Sequence, residues 1–324
     1  MKNMQARRVP AQALPVIDIS GLNDADMSVR RGIGEHMRAA CGDLGFMYVI
    51  GHGVDEALRT AVFKQAAEFF AWPEDEKLAL KMELSPCNRG YEALGGQTLE
   101  DGAPPDLKEG FYVGEELSLD HPRVRACQFN LGPNQWPDNM PKFREVMNTY
   151  YTVMLELGES LMRGIALSMD LPEEYFNDYN AEPLSGIKLL HYPPQPANPH
   201  PDEKGCGAHT DFGGITMLMQ DDNGGLQVMG NDGEWIHAPP LPGSYVVNLG
   251  DMIARWTNDR YRSTLHRVIN LSGQERYSVP FFFSGNPAHE VSALPGCLGE
   301  GETPKYPPTT VEAHMREMYA RTYA

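Results

Sequence analysis

A histidine and an aspartate lie two residues apart in the run Ala208-His209-Thr210-Asp211. On an extended segment, residues two apart project from the same face of the backbone. That face could hold a divalent metal if a third ligand came from elsewhere in the chain. A His-x-Asp pair also arises by chance, so a polar turn beside Gly213-Gly214 is an equally good interpretation of this run taken alone.

The downstream segment supplies further candidates. Ser263–Ile269 is a strand-like run that carries His266, and Arg276 and Ser278 share one face of the next such run. Two histidines, one carboxylate and an arginine–serine pair fit a single architecture. The combination, rather than any one motif, therefore carries the hypothesis of a metal site beside a carboxylate-binding site.

After His209 the sequence consists largely of short apolar runs that are separated by Gly, Asn, Asp and Pro. Strands at intervals of roughly 8–12 residues with this punctuation are typical of an antiparallel sandwich or barrel. We expect strands at 186–192, 215–220, 226–229, 234–237, 244–249, 252–257, 264–270 and 276–283.

The first half of the chain alternates strands and helices. Leu14–Ile19 and Phe46–Ile50 have the apolar pattern of strands, and a helix is expected between them from Met27 to Leu44, ended by Gly45. Asp55 is a good cap for the next helix. The Gly- and Pro-rich stretch 85–141 fits a functional loop or a solvated connector equally well.

A long helix is expected to begin near Pro141, because proline suits a first helical turn and apolar residues follow at helical spacing. The tail from Thr310 to Tyr323 is expected to be a surface helix. We therefore predict one structural unit with an N-terminal α/β region (1–140), a scaffold helix (141–180), a jelly-roll core with the site (181–290) and a C-terminal loop and helix (291–324).

Composition excludes several partners. The net charge of −17 leaves no basic stripe for a nucleic acid and disfavours anionic lipid, and no apolar run is long enough to span a membrane. The start of the chain lacks the apolar run of a secretory signal. Five scattered cysteines are typical of a reducing compartment, so we expect a cytoplasmic protein. Cys206, three residues before His209, leaves a zinc site as an alternative.

At this point the chain resembles a known family, the isopenicillin N synthase-like non-haem iron(II), 2-oxoglutarate-dependent oxygenases. The resemblance covers nearly the whole chain and keeps the family's motifs in order. The matching segments are 14–19, 45–48, 51–53, 191–194, 208–216, 220–222, 248–251, 263–268 and 276–282. It implies a mainly β fold with flanking helices, built on a double-stranded β-helix, or jelly roll.

The resemblance also implies the site and its reaction. His209, Asp211 and His266 would hold iron(II), and two imidazoles with one carboxylate leave open positions suited to oxygen chemistry. Arg276, Ser278 and Tyr192 would hold 2-oxoglutarate, since a guanidinium offers a bidentate fork to a carboxylate. Dioxygen would be the second cosubstrate and ascorbate a candidate reductant. Leu190 stands where many relatives carry an asparagine, and a strand histidine without a ligand role is expected at 191.

The expected function is oxidation of a small-molecule metabolite, by hydroxylation or desaturation, with release of succinate and carbon dioxide. Two alternatives stand beside it: an oxidase of the same family that does not use 2-oxoglutarate, and a non-catalytic small-molecule binding module. The sequence leaves the oligomeric state open. Candidate substrate-pocket residues are Arg89, Tyr91, Phe111, Phe212, Trp256 and Phe282.

Overall fold

The computed structural model describes residues 14–100, 102–195, 202–294 and 296–322. Its α-helices are α1 (Met27–Asp43), α2 (Glu56–Phe70), α3 (Glu74–Leu78), α4 (Pro122–Arg125), α5 (Pro141–Ser168), α6 (Asn177–Asn180), α7 (Asp251–Trp256) and α8 (Val311–Thr322). Its strands are β1 (Val16–Asp18), β2 (Phe46–Ile50), β3 (Gly90–Glu92), β4 (Glu109–Gly114), β5 (Leu184–Tyr192), β6 (Cys206–His209), β7 (Ile215–Gln220), β8 (Leu226–Met229), β9 (Trp235–His237), β10 (Tyr245–Leu249), β11 (His266–Val268), β12 (Arg276–Gly285), β13 (Glu290–Val291) and β14 (Thr309–Thr310).

Two sheets form the centre of the molecule. The larger has the strand order β1-β2-β10-β7-β12-β5-β4-β3, and the smaller has the order β6-β11-β8-β9. Every named pair in them is antiparallel except β1 with β2. Strands that are distant in sequence, such as β5 and β12, are neighbours, which is the crossed connectivity of the predicted jelly roll.

Alternation along the strands sorts side chains between two environments. On β7, Met217 and Met219 belong to the large core under the helices, whereas Thr216 and Leu218 line a cavity on the other face. β2 repeats the pattern, since Phe46 faces the smaller core between the sheets and Met47 faces the helices. The period of two therefore gives the large sheet one face for packing and one for the site.

The helices cover the outer face of the large sheet. α5 begins at Pro141 as predicted and buries an apolar stripe at helical spacing. The helix ends at Ser168, before the limit of 180 expected for this segment, and short helical turns follow it. Because the stripe is buried against the sheet and α1, α5 supports the outer face of the large sheet.

One predicted strand is wrong. The segment 252–257 forms the helix α7, whose first turn is capped by carbonyl groups of the loop that follows β6. The backbone N–H of Asp251 donates to the carbonyl of Asp211 over 2.8 Å, and that of Met252 donates to the carbonyl of Gly213 over 3.2 Å. These carbonyl groups accept hydrogen bonds from N–H groups that have no partner within the helix at its first turn. The short apolar run by itself does not indicate these contacts, so the sequence alone does not predict the helix.

No helix in the described part of the chain combines the length and apolarity needed to cross a bilayer.

Gly45, the predicted helix stop, adopts φ +65°, and a Cβ there would lie 1.9 Å from the carbonyl oxygen of Arg262. Gly53 has a similar φ of +75°, and apart from its chain neighbours no atom of the described residues lies within 4 Å of such a Cβ. We expect Gly53→Ala to cost about 1–2 kcal/mol through backbone strain alone. Gly45→Ala should cost about 1–3 kcal/mol more through the steric contact. Chemical denaturation of both variants measures the difference, and equal losses would contradict this role of Gly45.

Candidate metal centre and its cavity

The pairing of β6 with β11 brings the two predicted histidines together. His209 and His266 are register partners, and their ring centroids lie 4.3 Å apart. Asp211 follows two residues after His209, and its Oδ1 lies 3.8 Å from the Nε2 atom of each histidine. One donor atom from each of the three residues falls within 4.8 Å of the others. The structure thus assembles three candidate ligands from distant parts of the chain.

The opposite nitrogen of each ring is fixed by the backbone. His209 Nδ1 lies 2.8 Å from the carbonyl oxygen of Gly207, and His266 Nδ1 lies 3.1 Å from that of Thr264. A carbonyl only accepts, so each Nδ1 carries the proton and each Nε2 keeps its lone pair. Ring orientation and tautomer are therefore those that a metal ligand needs.

The carboxylate of Asp211 is held in the same way. Its Oδ2 accepts a hydrogen bond of 2.6 Å from Thr216 Oγ1 and one of 2.7 Å from Asn248 Nδ2. Both donors occupy the oxygen that is turned away from the histidines. Oδ1 therefore stays directed at the point between the two imidazoles.

Burial and neighbouring groups favour the protonation states that bind a metal. Burial, with the nearby His209, lowers the pKa of His266 to about 4, so this imidazole is neutral at physiological pH. Burial alone would raise the pKa of Asp211, but His266, His209 and the two hydrogen bonds to its carboxylate outweigh it and lower that pKa. A neutral imidazole and an ionised carboxylate bind without first losing a proton.

Two imidazole nitrogens and one carboxylate oxygen form the donor set typical of non-haem iron(II) sites with open positions. The zinc alternative depended on Cys206. Its sulfur lies 3.8 Å from His209 Nδ1, the nitrogen already engaged with the backbone, and is outside the three-residue cluster of the described chain. Burial also raises the pKa of the Cys206 thiol to about 12, so the thiol is protonated in the metal-free protein.

Arg276 lies fully buried on β12, opposite Tyr192 on β5. Its Nη1 lies 3.2 Å from Ser278 Oγ, its Nη2 donates to Gln220 Oε1 over 2.9 Å, and its guanidinium carbon lies 4.8 Å from the centre of the Tyr192 ring. Its Nε–H has no acceptor, and no acidic side chain of the described residues forms an ion pair with it. A buried cation of this kind on a cavity wall fits the carboxylate of a ligand.

Strand β5 separates its residues by face. Leu190 lines the cavity as the register partner of Ser278, so the position that often carries asparagine is an apolar wall here. His191 points to the other face, where its Nδ1 lies 2.7 Å from Glu109 Oε1 and its ring stacks on Tyr277. His191 is therefore a strand histidine with a packing role, as expected.

Three of the six predicted pocket residues reach the cavity. Arg89, Phe212 and Phe282 line its wall together with the candidate metal ligands and Arg276. They come from β12, from the loop after β6 and from the segment before β3. The long stretch 85–141 thus contributes to the cavity, which favours its interpretation as a functional loop.

The other three predictions place the residue in the wrong environment. Tyr91 and Phe111 are register partners on β3 and β4, so they share a face, and Phe111 packs on Phe69 with ring centroids 4.6 Å apart. That face is the helix-covered one. Trp256, on α7, packs on Tyr179 at 4.7 Å in the core. All three serve packing rather than the cavity.

Several residues of the cavity wall are not among those predicted from the sequence. The period of two that places Tyr192 and Leu190 on the wall also places Lys188 there, a signal that was present in the sequence. Met315 and Tyr319 reach the wall from α8, which is therefore more than the surface helix predicted for the tail. No local pattern marks that contact, because it depends on where α8 docks.

Comparison with known proteins gives two family matches. Residues 14–139 match the N-terminal family described as non-haem dioxygenase in morphine synthesis, and residues 184–285 match the 2OG-Fe(II) oxygenase superfamily. A 2-oxoglutarate-Fe(II) type oxidoreductase of Emericella nidulans is 45% identical over 318 residues, which cover 96% of this chain and 90% of the relative.

Two further proteins are similar over most of their length. The homoarginine-6-hydroxylase of Arabidopsis thaliana is 40% identical over 301 residues, covering 88% of this chain and 89% of the relative. A full-length Neurospora crassa protein, crystallised in complex with alpha-KG and thymine, superposes with a TM-score of 0.82 at 30% identity. That match covers 95% of this chain and 96% of the Neurospora crassa chain.

The hydrogen bonds to Asp211 Oδ2 give a direct test of the candidate metal centre. Thr216→Val removes one donor at nearly constant volume, and we expect it to weaken Mn(II) binding about 10- to 100-fold, since such supporting bonds orient a ligand. Asn248→Ala should act in the same direction. Mn(II) titration followed by electron paramagnetic resonance measures the change.

Thr149→Val, at an exposed site on α5, is the matched control and should bind Mn(II) like the unchanged protein. Wild-type affinity in both the Thr216 and the Asn248 variants would refute the assignment of Asp211 Oδ1 as a ligand.

Proposed function

This chain belongs to the non-haem iron(II), 2-oxoglutarate-dependent oxygenases, and from that premise we propose which side chains carry the reaction and what they require of the substrate. The protein is a dioxygenase that oxidises a small molecule with 2-oxoglutarate as cosubstrate. The expectations of family, jelly-roll fold, iron(II) and 2-oxoglutarate are thereby confirmed.

In the proposed site, His209, Asp211 and His266 hold the iron(II). The observation that carries this assignment is that one potential ligand atom from each of the three residues converges on the same point. The other nitrogen or oxygen atom of each side chain is hydrogen-bonded to the protein. When bound, the metal would activate dioxygen, which is the oxidant: 2-oxoglutarate would supply two electrons and leave as succinate and carbon dioxide, and the substrate would supply the other two. The protein's own contribution is to fix the ligands before the metal arrives, so little reorganisation is required.

Arg276 is proposed to bind the distal carboxylate of 2-oxoglutarate, with Ser278 beside it and Tyr192 covering one face of the guanidinium. The geometry supports this role because Arg276 is buried on the same cavity wall and forms no ion pair with an acidic side chain of the described residues. Gln220 fixes the other edge of the guanidinium through a hydrogen bond of 2.9 Å. The carboxylate of the cosubstrate would supply the missing negative charge.

The cavity supports a small organic substrate. Phe212 and Phe282 provide apolar surface, and Lys188 and Arg89 are among the few charged groups on the wall. An apolar pocket with a few placed polar groups is the usual form of a small-molecule site. Thymine and homoarginine, named for two of the similar proteins, are both small polar metabolites and are suitable starting compounds for a substrate screen.

A cytoplasmic location is also proposed. The five cysteines are free thiols, and four of them (Cys41, Cys87, Cys206 and Cys297) are buried. Scattered free thiols are typical of a reducing compartment.

The cosubstrate assignment predicts a specific effect of Arg276→Gln. We expect the concentration of 2-oxoglutarate needed for half-maximal succinate formation to rise about 10-fold or more, because one charge-assisted contact is worth roughly 1.5–3 kcal/mol. Iron(II) affinity should change far less. Arg267→Gln is the matched control, since Arg267 is also buried but stacks on Trp235 outside the cavity. An equal loss of both affinities in Arg276→Gln would show that the residue has another role.

Asp211→Ala should abolish succinate formation, since it removes the only carboxylate of the three-residue cluster. The exposed Asp222→Ala is the control and should retain activity. Anaerobic addition of iron(II) and 2-oxoglutarate gives a second measurement: the metal-to-ligand charge-transfer band should form in the wild type and be lost in Asp211→Ala. If the wild type forms no such band, the protein is better explained as a binding module.

A further inference from the structure

Arg89 is a second buried guanidinium on the cavity wall, with only 6% of its surface exposed. Its Nη1 donates to the carbonyl oxygen of Cys87 over 2.9 Å, and its Nη2 donates to that of Asn130 over 2.5 Å. Its Nε–H is buried, and none of the described residues provides an acceptor for it. The carbonyl groups fix the side chain in place but do not neutralise its charge.

The other buried cations of the cavity are accounted for. Lys188 pairs with Glu92 at 3.1 Å, and Lys108 pairs with Asp106. Arg276 pairs with 2-oxoglutarate under the proposed function, on which this inference rests. Among the described residues, no acidic side chain forms an ion pair with Arg89. A buried charge without a partner is costly, so an anion that enters the cavity would be strongly favoured there.

The surroundings of Arg89 are shaped around its guanidinium. Gly114 lies directly against it, and a Cβ at that position would come within 2.1 Å of Arg89 Nη2. Glycine at 114 is therefore what leaves room for the guanidinium. Tyr319, which lines the same cavity from α8, is close enough for the charge of Arg89 to oppose the rise in its pKa that burial causes. Phe212 and Phe282 add apolar surface to this cavity.

We propose that the substrate is a small carboxylic acid with an apolar body, and that Arg89 binds its carboxylate. A buried guanidinium that two carbonyl groups hold in place on the cavity wall is organised in advance for a planar anion. Arg89 is then a specificity-determining residue. It anchors one end of the substrate in the cavity, and the apolar residues hold the remainder near the metal centre.

Binding can be tested without turnover. The protein is loaded with Zn(II) and saturated with 2-oxoglutarate, and then screened by ligand-observed nuclear magnetic resonance. The panel contains aromatic and aliphatic monocarboxylic acids, each with its primary amide as a neutral analogue of the same shape. We expect the binders to be acids and each amide to bind at least about tenfold more weakly. A panel without an acid binder, or with acids and amides bound equally, would overturn the proposal.

Arg89→Gln distinguishes two roles of Arg89: binding the carboxylate of the substrate, and supporting the loop through its hydrogen bonds to backbone carbonyl groups. The affinity of the best acid should fall about 10- to 150-fold while that of its amide changes little, so the ratio between them collapses. Arg89→Lys should restore part of the preference for the acid. An equal loss for acid and amide would show that Arg89 only supports the carbonyl groups of Cys87 and Asn130, and would refute the proposal.

Gly114→Ala is a third variant, and unlike the other two it retains the arginine. Because the added methyl group displaces the guanidinium, the acid should again lose affinity more than its amide. In Arg89→Gln and Gly114→Ala the iron(II)–2-oxoglutarate absorption band should match that of the wild type. If the wild type itself forms no such band, the proposed function is contradicted. If the wild type forms the band but shows no preference for acids over amides, only the role of Arg89 is contradicted.

Discussion

The site depends on one short strand pairing, that of β6 with β11. It places two histidines opposite each other, and the aspartate two residues further on completes the cluster. A shift of one residue in this register would turn one histidine to the other face of the sheet and separate the donors. The pairing is supported on one side by β8, and the loop after β6 is fixed by the capping of α7. The metal centre is thus a consequence of how the smaller sheet is assembled.

The buried cations on the cavity wall differ in whether the protein itself neutralises their charge. On the cavity wall, two buried lysines are paired with carboxylates of the protein, whereas the guanidinium groups of Arg276 and Arg89 form no ion pair among the described residues. Such groups reduce the stability of the protein without ligands, and the cost is offset when anions bind. We therefore expect anionic groups of bound ligands at two places on the cavity wall besides the metal centre, one at Arg276 and one at Arg89.

Much of the fold could be predicted from the spacing of apolar residues and from the turn-forming residues between them. In the second half of the chain this pattern identified most strands of the jelly roll. The failures have a common cause, because each depended on a tertiary contact. The segment 252–257 became a helix when the carbonyl of Asp211 capped it. Tyr91 and Phe111 lie on a strand pair that is buried on both faces, so alternation could not tell cavity from core. Tyr319 reaches the site only because of how α8 docks.

The central claim is that His209, Asp211 and His266 bind one metal through the atoms that the protein leaves free. A crystal structure of the anaerobic complex with Mn(II) and 2-oxoglutarate tests it most directly. The metal should be bound by Nε2 of both histidines and Oδ1 of the aspartate, with the distal carboxylate of 2-oxoglutarate on Arg276. A metal bound elsewhere, or one ligated by the sulfur of Cys206, would contradict the claim.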